Sequence, residues 1–224
     1  MTVKVQEVIT ALEHVYPPSL AESWDAVGLV CGDPQASVRR VLFCVDPVEA
    51  TVEEAEAFGA QLLVSHHPLM LRGVHGVPAD DPKGRLIHRL IKSGIGLYCA
   101  HTNADTAERG VSDAFAEAIG LTVANPLVPH VEGGATGLGR VGTLPGPERF
   151  ADFVRRVAGG LPSTAWGVRG AGDPERMIET VAVCGGSGDS NLDIATERGV
   201  DAYVTADRRH HPAGEHLARA DVPG

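Results

Sequence analysis

Residues 41–65, laid without a gap over residues 181–205, set VLFCVDPVEATVEEAEAFGAQLLVS above VAVCGGSGDSNLDIATERGVDAYVT. Val41, Cys44, Ala55, Gly59 and Val64 meet Val181, Cys184, Ala195, Gly199 and Val204. Both segments read as strand, turn, helix, glycine, strand, which restricts the chain to an α/β fold with two equivalent units. Strand–helix–strand units also converge on such patterns, and it is the ungapped match that favours duplication. In the first copy Asp46-Pro47-Val48-Glu49 has the N-cap, N1 proline and N3 glutamate of a capping box, which makes Asp46 a helix cap. In the second copy the turn is GGSGDSN. Glycines before a helix could cradle an anion, but the lysine of a P-loop and the spacing of a dinucleotide fingerprint are missing, and a tight turn is the simpler reading.

The second strand of the first copy, Leu62-Leu63-Val64, is apolar throughout, as a strand buried on both faces is, and it runs into Ser65-His66-His67-Pro68. A later apolar stretch, GIGLYCAH, again ends in histidine and continues TNADTAERG. Val111, Phe115 and Ile119 then mark one helical face with Gly120 beyond it, so His101 to Arg109 reads as a loop. If the two strands are parallel neighbours, His66, His67, His101 and Asp105 converge where α/β proteins place ligands, at the carboxyl edge of the sheet. Imidazoles with a carboxylate suit Zn²⁺, Fe²⁺ or Mn²⁺. Taken singly, the histidine pair reads as a loop cap with its packing partner, His101 as a hydrogen-bonded loop residue and Asp105 as an Asx turn. The four together favour a metal.

The chain of 224 residues carries 19 basic and 29 acidic residues, a net charge of −10, which argues against a groove that tracks nucleic-acid phosphates. Its four cysteines show no C-x-x-C spacing, and a chain of this size needs no covalent staples; the reading is a reducing, cytoplasmic protein. Val5, Val8, Ile9, Leu12 and Val15 lie at helical spacing ahead of Pro17-Pro18, and no apolar run reaches the eighteen or so residues that a membrane span needs. Between the copies a Gly-, Pro- and Arg-rich stretch holds one amphipathic helix, with Phe150, Phe153, Val154 and Val157 on one face, flanked by short strand candidates. It reads as a small inserted subdomain, with Arg140, Arg155 and Arg156 solvated.

The blocks ESWDAVGLVCGD, LLVSHHPL, CAHTNADTAERGVSDAFAEAIGL, GLGRVG and VAVCGGSGDSNLDIATERGVDAYVTADRRHHPA resemble, in this order, those of the Nif-three-like dinuclear metal-binding proteins, the bacterial GTP cyclohydrolase 1 type 2 homologs. The resemblance implies two intertwined pseudo-symmetric α/β repeats with mixed sheets. The first would span residues 1–122 and carry the histidine-pair site, the inserted subdomain 123–180, and the second repeat 181–224. It further implies two divalent ions per protomer, of zinc, iron or manganese, and a toroidal homohexamer with the sites facing a cavity. His66, His67 and Asp105 match the family's metal ligands. His101 matches a neighbouring histidine that would orient a ligand or substrate, and it is the candidate catalytic acid or base, since imidazole titrates in the right range. Two blocks depart from the family pattern: Trp24-Asp25-Ala26 stands for WDN and Thr205-Ala206-Asp207 for TGD. The family's further histidine and bridging glutamate belong to a GH-x-x-SE-like motif, and Gly224 comes before one. The expectation is therefore a natural chain that continues, or a site that is incomplete and loses its second ion first. His210, His211, Glu215 and His216 match the family's preceding helix start, not its ligands.

The function implied is that of a metal-dependent hydrolase. Water acidified by the ions would attack a C–N or phosphoester bond of a small, nucleotide-like substrate, as in GTP cyclohydrolase. The alternative is a metal-binding regulatory or metal-chaperone protein without turnover. No nucleophile-elbow motif points to serine chemistry.

Overall fold

The computed structural model describes residues 2–219; the expectation attached to Gly224 lies outside the described residues. The chain divides into two compact units, Met1–Ala104 and Asp105–Gly224. In the first, a four-stranded sheet runs in the order Gly28–Cys31, Gly96–Cys99, Leu62–Ser65, Val41–Cys44. The last three are parallel and the edge strand Gly28–Cys31 is antiparallel. Leu62 through Ser65 are all buried, because both faces of the sheet are covered. Leu62 and Val64 pack on Val5 and Ile9 of the N-terminal helix, Val5–Val15. Leu63, pointing the other way, packs among Val52, Ala55, Ile87 and Leu90 of the helices Glu49–Phe58 and Pro82–Lys92.

The second unit has a mixed sheet in the order Ala202–Ala206, Met177–Ser187, Arg140–Arg149, Thr122–Asn125, with only the first pair parallel. Here too alternation sorts the core. Val181 and Val183 meet Ala116, Phe153 and Val157 of the helices Val111–Ala118 and Phe150–Gly160, while Ala182 and Cys184 meet Leu192 and Ala195 of Leu192–Glu197. The stretch between the copies thus supplies a strand of the same sheet as the second repeat.

The repeat holds at the level of individual hydrogen-bonded rungs. Val41 lies opposite Leu62 and, rung by rung, Cys44 opposite Ser65; at the matching positions Val181 lies opposite Ala202 and Cys184 opposite Thr205. Both helices end on a left-handed glycine, Gly59 at φ 69° and Gly199 at φ 66°. The amide that follows each reaches back to an alanine carbonyl, Ala60 to Ala55 and Val200 to Ala195. The next amide crosses to the sheet, Gln61 to Arg40 and Asp201 to Thr180. The fold is the mixed α/β architecture of two equivalent repeats, and no helix among the described residues is long and apolar enough to cross a membrane.

Three local expectations are corrected. Asp46 does not cap the Glu49–Phe58 helix: Val48 is the N-cap, and its N–H donates to Thr51 Oγ1 at 2.9 Å. Residues 101–109 are not all loop, since Thr102–Thr106 is a short helix, begun where His101 N–H donates to Asn103 Oδ1. Arg140 is not solvated but 1% exposed. Its guanidinium forks onto both Asp113 carboxylate oxygens and donates to the carbonyls of Ala107, Gly137 and Gly139, so all five of its N–H groups are used. Hydrogen bonding on every side is what lets a charge sit there. Arg155 and Arg156 are surface residues paired with Asp152 and Glu148.

Candidate metal centre

The strands Leu62–Ser65 and Gly96–Cys99 are parallel neighbours, with Ser65 opposite Cys99, so the residues that follow them leave the sheet at the same edge. The ladder continues briefly past the strand: His66 N–H donates to Cys44 O at 3.0 Å and His67 N–H to Val45 O at 2.9 Å. Pro68, with no N–H, ends it. Among the described residues one cluster has metal-ligand character, His66, His67 and His101, with a ligating atom from each within 4.8 Å of the others. The ring centroids are 5.1 to 5.7 Å apart.

Each ring is held from behind. Nδ1 of His66 lies 3.1 Å from Ala100 O, Nδ1 of His67 2.7 Å from Asp46 Oδ1, and Nδ1 of His101 2.9 Å from Asp25 Oδ1. Oxygen acceptors at these distances place the hydrogen on Nδ1 and leave Nε2 as the basic nitrogen of each imidazole. This backing by carboxylate or carbonyl is the one that metal-bound histidines show. Tetrahedral zinc, with Zn–N bonds of about 2.0–2.1 Å, holds its nitrogens roughly 3.3 Å apart, and the ligating atoms of this cluster lie within 4.8 Å of one another. The residues present fit a divalent transition ion.

Burial alone would raise the Asp25 carboxyl, but hydrogen bonds from the Thr102 side chain, His101, and the backbone N–H groups of Thr102 and Ala26 hold it below the usual carboxylate range. It is ionised at neutral pH and would offset part of the charge of an ion bound beside it. Burial pushes the nearby Cys99 thiol up to about 12 and raises Cys44 as well, and neither sulfur belongs to the histidine cluster.

The structure places the expected residues as follows. His66 and His67 lie in the cluster, and His101, expected to stand behind the ligands, lies in the cluster with them. Asp105 sits on the Thr102–Thr106 helix, with its carboxylate against Gly185. The glycine turn of the second copy is a packed turn: a Cβ on Gly188 would stand 2.3 Å from Tyr203 Oη. Sequence reasoning missed Asp25 and Asp46 as partners of the rings. Asp25 is 76 residues from His101, so no local spacing announces the pair. The only signal was its place in the ESWDAVGLVCGD block.

Two mixed α/β repeats with a histidine cluster at one strand edge define an α/β protein with a candidate metal centre. A model of the Duf34/NIF3 (NGG1p interacting factor 3) family matches residues 3–221. The chain is 55% identical to a GTP cyclohydrolase 1 type 2 homolog of Streptomyces coelicolor, over 98% of this chain and 77% of that protein. Among solved structures, Staphylococcus aureus hypothetical protein SA1388 superposes with a TM-score of 0.85 at 29% identity, covering 96% of this chain and 82% of that one. A Bacillus cereus protein related to NIF3 gives 0.83 at 25% identity, covering 96% and 85%. The chain belongs to the DUF34/NIF3 family.

Proposed function

We propose that this chain is a divalent-metal-binding protein whose metal centre serves hydrolysis of a C–N or phosphoester bond in a nucleotide-like small molecule. The observation that carries the reading is the cluster of three imidazoles, each with Nδ1 turned to an oxygen, an arrangement that in the neutral ring leaves Nε2 free to ligate. His66, His67 and His101 would hold the ion. Asp105 enters as a carboxylate ligand, and the number of ions as two, on the family motif alone. When bound, a divalent ion supplies Lewis acidity and acidifies water. The chain's own part is to fix the rings, and Asp25 and Asp46 do that. The name shared by the relatives, GTP cyclohydrolase 1 type 2 homolog, makes a purine nucleotide the first substrate to try. A homohexamer in a reducing cytoplasm completes the reading.

The test is metal analysis of the purified protein, followed by incubation of the Zn²⁺-, Fe²⁺- and Mn²⁺-loaded forms with GTP and a panel of nucleotides and phosphoesters. Product that disappears with chelator supports the hydrolase. Tight metal binding with no product across the panel overturns it in favour of a metal-binding regulatory or chaperone protein.

A further inference from the structure

We propose that Asp25 is a positioning residue of the metal centre: its carboxylate holds His101 as the Nδ1–H tautomer and so commits Nε2 of that ring to the metal. The inference rests on the reading of His66, His67 and His101 as a metal-binding cluster.

The Asp25 side chain has no exposed surface, and four donors converge on it. Oδ1 accepts from His101 Nδ1 at 2.9 Å and from Ala26 N–H at 2.7 Å; Oδ2 accepts from Thr102 N–H at 3.0 Å and from the Thr102 hydroxyl. These bonds leave the carboxylate no second orientation. Were His101 the other tautomer, its Nδ1 lone pair would face Oδ1 with no proton between them, in a place where little water can intervene. The ring itself is only 16% exposed. A buried charge-assisted hydrogen bond would be lost and nothing would replace it. The backbone is tied down by the same residues. Thr102 Oγ1 also accepts from Glu22 N–H at 2.9 Å, and Asn103 Oδ1 accepts from His101 N–H at 2.9 Å. The turn that carries Asp25 and the segment that carries His101 therefore grip each other on both sides of the ring. His67 and Asp46 form a looser version of the pair, since their side chains are 45% and 60% exposed and water competes for both. Asp25 is the partner that cannot be substituted by solvent.

The experiment reads the tautomer and the affinity separately. In ¹⁵N-labelled, metal-free wild-type protein, at a pH where the rings are neutral, two-bond ¹H–¹⁵N spectra should show His101 protonated on Nδ1. In Asp25→Asn one face of the side chain becomes an NH₂. Turned toward Thr102 it opposes the backbone N–H of that residue; turned toward His101 it opposes Ala26 N–H and, unless the ring changes tautomer, Nδ1–H as well. The variant should therefore show His101 as Nε2–H or as a mixture, with the His66 and His67 signals retained. Its Zn²⁺ affinity, measured by competition with a chelator, should fall about 10- to 100-fold, the range for loss of a histidine's backing residue. Asp46→Asn should lose less. If Asp25→Asn does not fold, Thr102→Val, which removes one donor from the carboxylate but leaves the His101 pair, should lower Zn²⁺ affinity in the same direction. An Nε2–H His101 in the wild type, or wild-type Zn²⁺ affinity in the variant that folds, overturns the inference. A wild type that shows the Nδ1–H tautomer but binds no Zn²⁺ overturns the metal-centre reading instead.

Discussion

Trp24 and the His101 ring meet in a T-shaped arrangement, with centroids 6.0 Å apart and planes at 77°, and Trp24 stays 58% exposed. The chain's other tryptophan is Trp166. In a Trp166→Phe variant the emission therefore comes from Trp24 alone, and Co²⁺ or Ni²⁺ should quench it in step with binding. Trp emission that ignores these ions while metal analysis shows them bound would place the ion away from His101. His67→Ala should lower bound metal while leaving the unfolding midpoint of the metal-free protein close to that of wild type, because the His67 ring is half exposed and its backbone bond to Val45 survives the change. At this scale the sequence spoke clearly about donors and poorly about what holds them. Two adjacent histidines after an apolar strand are visible by inspection. The acceptor behind each ring, by contrast, comes from 21 to 76 residues away, brought in by the packing of other elements.

Between elements, Arg140 joins the strand Arg140–Arg149 to the start of the helix Val111–Ala118 through Asp113. Removing it strands a carboxylate and three carbonyls. Arg140→Met should destabilise the protein by about 3–5 kcal/mol in urea unfolding, the range for breaking a buried ion pair on one side. Arg140→Lys should recover only part of this, because an ammonium has three donors and no fork. In the first unit the helices Glu49–Phe58 and Pro82–Lys92 are tied by Glu56, which accepts from both Arg89 Nε and Nη2 and from Ser93 Oγ. Those hydrogen bonds, Arg89 first and Ser93 next, hold the Glu56 carboxyl below its ordinary value. A depressed folded-state pKa stabilises the fold above the unfolded value of about 4.3, and the gain is lost as pH falls through the folded value. The unfolding free energy of wild type minus that of Glu56→Gln should thus be positive and flat above about pH 5 and shrink in acid. A difference that grows in acid would contradict the assignment. Helices such as Val5–Val15 and Phe150–Gly160 were legible from periodicity, because their apolar faces meet sheets. Arg140 was not: nothing in GLGRVG distinguishes a solvated arginine from one whose five donors are met by two carbonyls of the motif itself, the Ala107 carbonyl and the Asp113 carboxylate.

For the whole molecule, the homohexamer of the proposed function predicts light-scattering mass six times that of the 23.4 kDa chain. A monomer mass at micromolar concentration would remove it. The repeat was legible because burial on both faces of a sheet imposes the same apolar run wherever it occurs. The rungs then behave as one template used twice, and substitutions inside it should come in matched pairs. Gly59→Ala and Gly199→Ala, both at left-handed positions, should each cost on the order of 1 kcal/mol. Past the last common rung the copies part. Where the first has Asp46, His66 and His67, the second has Gly186, Ala206 and Asp207. Its ladder also slips, with Ser187 next opposite Ala206, and Asp207 takes φ 48°. One half of the molecule is in this sense a built-in blank for the other. At these three positions one copy carries an aspartate and two imidazoles and the other does not, and it is the slipped ladder, more than the side chains, that would stand in the way of grafting the histidine pair onto it.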